Sequence, residues 1–169
     1  MMIQNELICV TESHCEAELK AIPNHTNLVI IQGRIHIEDA YGGVWEHFGY
    51  LCERDGNAFV PRFDLLGEHQ SMFKVEFEDF TQDEANELIV TGPTGLHSAF
   101  IRVIDIELGE PALLFEKNTN TPNVYIQKLA GNAQIVIEEA LIAPDYVEGK
   151  RTSNIYEWNG RGFADVATS

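Results

Sequence analysis

The stretch from Phe73 to Phe115, FKVEFEDFTQDEANELIVTGPTGLHSAFIRVIDIELGEPALLF, decides the fold. Within it Val75-Glu76-Phe77-Glu78 and Ile101 to Leu108 (IRVIDIEL) alternate apolar and polar side chains, the pattern of a half-buried strand. Leu88-Ile89-Val90 is a short aliphatic run suited to a strand covered on both faces. Leu28 to Ile31 and Ile135-Val136-Ile137 repeat that type elsewhere in the chain. No window of a dozen residues carries a 3.6-residue apolar stripe. Ser13 to Ile22 has one helix feature, a capping-box pair in Ser13 and Glu16. It also alternates as Cys15, Ala17, Leu19 and Ala21, and the strand reading is preferred. The expectation is an all-β protein.

Working outward, three stretches follow one plan: alternating strand, polar turn, aliphatic strand, variable loop, alternating strand, Gly turn, closing aromatic strand. The units span about 14–63, 72–117 and 123–167 within a single domain of 169 residues. Their turn glycines, Gly56, Gly109 and Gly160, lie 53 and 51 residues apart. Asp55-Gly56 and Asn159-Gly160 are hairpin signals, because Asp, Asn and Gly tolerate the positive φ of a type I′ turn. Four strands in roughly fifty residues is the size of a propeller blade. The fold class expected is therefore repeated antiparallel four-stranded hairpin units, propeller-like or in an open meander or sandwich. The run Glu6-Leu7-Ile8-Cys9-Val10 is read as an extra strand, expected to complete a neighbouring sheet.

The segment Asp79-Phe80-Thr81-Gln82-Asp83-Glu84-Ala85-Asn86-Glu87-Leu88-Ile89-Val90-Thr91-Gly92-Pro93 resembles the FG-GAP/VCBS-type repeat of integrin-α-like β-propellers. Phe48-Gly49-Tyr50 is similar to that family's Phe-Gly element, and Tyr156 to Phe163 to the hairpin that follows. The resemblance implies a propeller-like arrangement and an acidic calcium loop. The chain departs from the family at Glu84, where Gly is usual, and at Thr81, where an acidic or amide ligand is usual. Asn24-His25-Thr26 and Gly131-Asn132-Ala133, in the equivalent turns, have no carboxylate. Three blades are too few for a ring, since propellers have about four to eight. Two chains pairing as a homodimer, or an open meander or sandwich, are the alternatives.

Charge narrows the function classes. There are 27 acidic residues against 11 Lys plus Arg, a net charge of −16. Such a chain repels nucleic acid and anionic lipid, and no local basic patch offsets that. It attracts basic partners. The first residues carry no basic and apolar leader, the aliphatic runs are far too short to span a bilayer, and the cysteines are three without CxxC spacing. A cytoplasmic protein with reduced thiols is expected. Walker, GxSxG and GxGxxG motifs are absent.

Three candidate sites follow. Asp79, Thr81, Asp83 and Glu87 occupy positions one, three, five and nine of the acidic loop, which projects oxygens into one turn as calcium requires; a solvated acidic turn is the alternative. The aromatic loop Tyr41-Gly42-Gly43-Val44-Trp45-Glu46-His47-Phe48-Gly49-Tyr50 places Trp45 and His47 on one face and Val44, Glu46, Phe48 and Tyr50 on the other. Tyr41, Trp45, His47 and Tyr50 are read as anchors for a partner, with core packing on both faces as the alternative. From Asp64 to Glu87 there are eight acids and one base, Lys74. Asp64, Glu68, Glu76 and Glu78 would dock and steer a basic protein. His36 with Glu38, and His14 with Cys15, are incomplete zinc sets.

The function expected is a non-enzymatic module binding a basic partner, such as a small acidic inhibitor of the immunity-protein kind, with no cofactor. The alternatives are a calcium-stabilised, propeller-like ligand-binding homo-oligomer and a carbohydrate-active enzyme using two carboxylates.

Overall fold

The computed structural model describes residues 6–8, 14–38, 40, 42–69, 71–107, 110–140 and 151–166. Among them the chain forms thirteen strands and no helix. It divides into two compact units, Met1–Met72 and Phe73–Ser169. Every sheet is antiparallel, and its strands follow in chain order, as the hairpin pattern requires.

The first unit holds one sheet of β1 (Glu6–Ile8), β2 (Cys15–Ala21), β3 (Leu28–Ile37), β4 (Val44–Asp55) and β5 (Ala58–Asp64). The capping-box helix of Ser13 to Ile22 gives way to β2, whose alternation wins. β1 pairs with β2 and so extends its own sheet rather than a neighbouring one. The segment from Val44 to Tyr50, read as part of an aromatic loop, is the first half of β4. β4 and β5 meet in a two-residue turn at Gly56 and Asn57, where Gly56 takes φ 59°. At the centre of the sheet Gly33 stands between Ala17 and Phe48. A Cβ there would lie 2.8 Å from the Phe48 Cζ and 2.8 Å from the Ala17 Cα, and against the Glu16 carbonyl oxygen. Only glycine lets the Phe48 ring lie across this strand.

The second unit holds two sheets. One is β6 (Lys74–Glu78), β7 (Glu87–Gly95), β8 (Ser98–Asp105) and β9 (Ala112–Thr119). The other is β10 (Val124–Leu129), β11 (Asn132–Ala140), β12 (Arg151–Trp158) and β13 (Phe163–Asp165). They share a core of Phe80, Ile89, Ile101, Val103, Ala133, Ile135 and Ile137, flanked by Phe115, Tyr156 and Phe163. Apolar burial of this kind is the main force holding the two sheets together.

Leu88-Ile89-Val90 and Ile135-Val136-Ile137 are buried on both faces, as their runs of aliphatic residues predict. β8 departs from its half-buried reading. Its alternating polar residue, Arg102, is itself buried, and its guanidinium Nε lies 3.1 Å from the Glu116 carboxylate across the ladder. The turn glycine Gly109 falls outside the described residues.

Candidate functional site

The ladder between β3 and β4 fixes which side chains share a face. His36 stands opposite Trp45, Arg34 opposite His47, Ile35 opposite Glu46, and Ile37 opposite Val44. One face therefore carries Arg34, His36, Trp45 and His47. Here the Arg34 guanidinium lies 4.6 Å from the Trp45 ring centroid. The His36 ring is 5.1 Å from Trp45 and 5.5 Å from His14. Arg34 Nε donates to Glu16 at 2.7 Å, and this bond holds the Glu16 carboxyl below its usual pKa. These contacts fix the indole while leaving it 42% exposed.

The opposite face runs from core to solvent. At one end Leu19, Val29 and Cys52 are buried together with Ile31 and Phe59 packed against them. At the other end the same alternation continues outward, leaving Ile35 and Ile37 each 41% and Val44 50% exposed, while Tyr50, opposite Ile31 in the middle of the ladder, is 38% exposed. Phe48 stacks beside Tyr50 at 6.3 Å between centroids. Glu46 and Asp64 carry acid to this face, opposite Ile35 and Tyr50 in the ladder. Ile35 and Ile37 went unread as surface residues. The alternation of Ile31, Ile35 and Ile37 with Gln32, Arg34 and His36 was the available signal, broken only by Gly33.

The sequence-predicted anchors thus divide. Trp45 and His47 share one face of β4, Tyr50 lies on the other, and Tyr41 is outside the described residues. Asp64 and Glu68 follow in the first unit, where Asp64 Oδ1 accepts the amides of Leu66 and Gly67 at 3.0 and 3.2 Å. Glu76 and Glu78 belong to the second unit and already have partners. Lys74 Nζ is 2.7 Å from Glu76, and Lys128 Nζ is 2.6 Å from Glu78.

The acidic loop is closed by its own backbone. Asp79 accepts the Gln82 amide at 2.6 Å and the Glu84 amide at 3.2 Å, and Asp83 accepts that of Ala85 at 3.0 Å. Glu87 is buried and accepts from the Phe80 amide at 2.7 Å and the Thr81 hydroxyl at 2.9 Å. Burial pushes the Glu87 carboxyl up in pKa, while the Phe80 amide opposes the shift. Calcium needs about six to eight converging oxygens. Both carboxylate oxygens of Asp79 and of Glu87, the Thr81 hydroxyl and Asp83 Oδ1 are engaged in hydrogen bonds within the loop, and each of these bonds competes with coordination of the ion. Among the described residues no three His, Cys, Asp or Glu side chains are grouped to hold a metal.

The two cysteines among the described residues, Cys15 and Cys52, are free thiols, and burial raises the Cys52 pKa. No described helix is long and apolar enough to cross a membrane. No protein-family model, curated protein or solved structure matches the chain.

Proposed function

We propose that this chain is a non-enzymatic interaction module that binds a basic protein partner through the open end of its first sheet. One observation carries the reading: Ile35, Ile37 and Val44 form an exposed apolar group at the end of a regular ladder, and Tyr50 is exposed further along the same face, which also carries Glu46 and Asp64. Aromatic and aliphatic side chains on a rigid strand bind with little ordering cost. Local acid and a net charge of −16 supply complementarity to a basic surface and speed the encounter. A small cytoplasmic inhibitor that neutralises a basic protein has this combination of size, charge and free thiols.

The test is capture of partners from native lysate at low and moderate salt, with wild type, Trp45→Ala and Tyr50→Ala as baits of equal melting temperature. A stoichiometric basic protein, weakened by salt and lost with Tyr50→Ala, is expected. Capture that ignores both salt and Tyr50 overturns the reading.

Three consecutive antiparallel meanders, one of five strands and two of four, favour a second reading, in which each sheet is a propeller-type blade and two chains assemble as a homodimer. Light scattering distinguishes it by a mass of two chains rather than one.

A further inference from the structure

A groove of about 310 Å³ opens in the second unit between β6 and β10, each the outermost strand of its sheet. It is lined by the apolar side chains of Ile89, Val124 and Ile126 and by Lys74, Glu76 and Glu78. The polar lining follows from register. Lys74, Glu76 and Glu78 pair with Thr91, Ile89 and Glu87, so the acidic side of β6 faces the same way as the core residue Ile89.

We propose that this groove seats an extended basic segment of the partner, added as a strand along the outer edge of β10, with a lysine or arginine side chain against Glu76 and Glu78. The inference rests on the reading above that the partner is basic. Strand addition supplies backbone hydrogen bonds from an edge and side-chain selection from alternate pockets. A strand beside β10 turns every second side chain toward Val124 and Ile126. The aliphatic stem of a lysine or arginine covers those apolar side chains while its charged head reaches the two glutamates. Lys74 and Lys128 now hold those glutamates, but both lysines are exposed, and the Lys74–Glu76 pair, open to solvent on both sides, is weak and screened. The groove is small for a bulky cofactor and suits the side chains of a strand.

The experiment titrates the full-length protein against a short, fluorescently labelled peptide of alternating lysine and valine, read by anisotropy and by amide hydrogen exchange. Saturable one-to-one binding is expected, with slowed exchange in β10. The variant E76Q/E78Q should weaken it about tenfold or more. The charge-matched control D55N/E110Q should leave it within about threefold, because those acids only add to the long-range field. A peptide N-methylated at alternate residues should lose binding to the wild-type protein, which tests backbone pairing without altering the fold. An equal loss with both glutamine variants, or no saturable binding, overturns the groove. Slowed exchange at β3 and β4 instead of β10 also overturns it, while supporting the first sheet as the docking surface. The basic-partner reading stands or falls separately, in the capture experiment with Tyr50→Ala.

Discussion

Glu87 shows how one buried carboxylate shapes a loop that looks, from its spacing, like a cation site. Its two oxygens take the Phe80 amide and the Thr81 hydroxyl, so the loop is held by the chain itself. Glu87→Ala leaves a buried amide without an acceptor and should cost about 1–3 kcal/mol in denaturant unfolding. The carboxyl's folded pKa is raised above its usual value of 4.5 by burial. Its protonated form therefore adds stability below about pH 4.5 that is lost as pH rises through the elevated value. The stability of wild type relative to Glu87→Gln should accordingly be greatest in acid and decline across that window; an advantage that instead grows with pH contradicts the assignment. Gln82 and Glu84 turn the loop with φ of 63° and 69°, in the left-handed region. Glu84→Gly should raise stability by up to about 1 kcal/mol by relieving that strain. Oxygens at alternate loop positions were plain in the sequence. What they would bind was not, because amide capping and cation coordination ask for the same residues at the same spacing.

At the scale of the element, alternation identified strands well and faces less well. β10 begins and ends where Val124 to Leu129 predicts, since a short alternating run between turn residues leaves little choice. The aliphatic run Leu28 to Ile31 marked only the start of β3, which continues to Ile37 because its ladder with β4 holds through Gly33. Gly33 reads as a breaker in isolation, yet in the sheet it is the site over which Phe48 packs. Gly33→Ala should therefore destabilise the protein by about 1–3 kcal/mol or more, as measured by the urea midpoint, because backbone and ring would both have to move. β8 teaches the complementary lesson. IRVIDIEL has the period of a strand with one wet face, but Arg102 lies buried and pairs with Glu116 on the neighbouring strand. Periodicity records which side chains are polar. Whether a second layer covers them depends on residues far away in the chain.

For the whole molecule, the all-β class and the antiparallel meanders were legible because alternating and aliphatic runs are separated by turn residues such as Asp55-Gly56 and Asn159-Gly160. The candidate surface was only partly legible: Tyr50 stood out as an aromatic, Trp45 stood out equally but lies on the opposite face, and Ile35 and Ile37 needed the β3–β4 register to place them on the face of Tyr50. An excess of acid over the chain and an apolar group at one sheet end together support docking of a basic protein there. Truncating Tyr50 or Trp45 should leave the fold intact, since both rings are well exposed and the cation–π contact to Trp45 is worth about 0.5–1 kcal/mol. The most direct test is calorimetric titration of the captured partner into wild type and Tyr50→Ala at low and moderate salt. The expected result is a basic partner whose affinity falls with salt and drops about tenfold or more on removal of the ring. Equal affinity for both proteins, or tighter binding at higher salt, would contradict it.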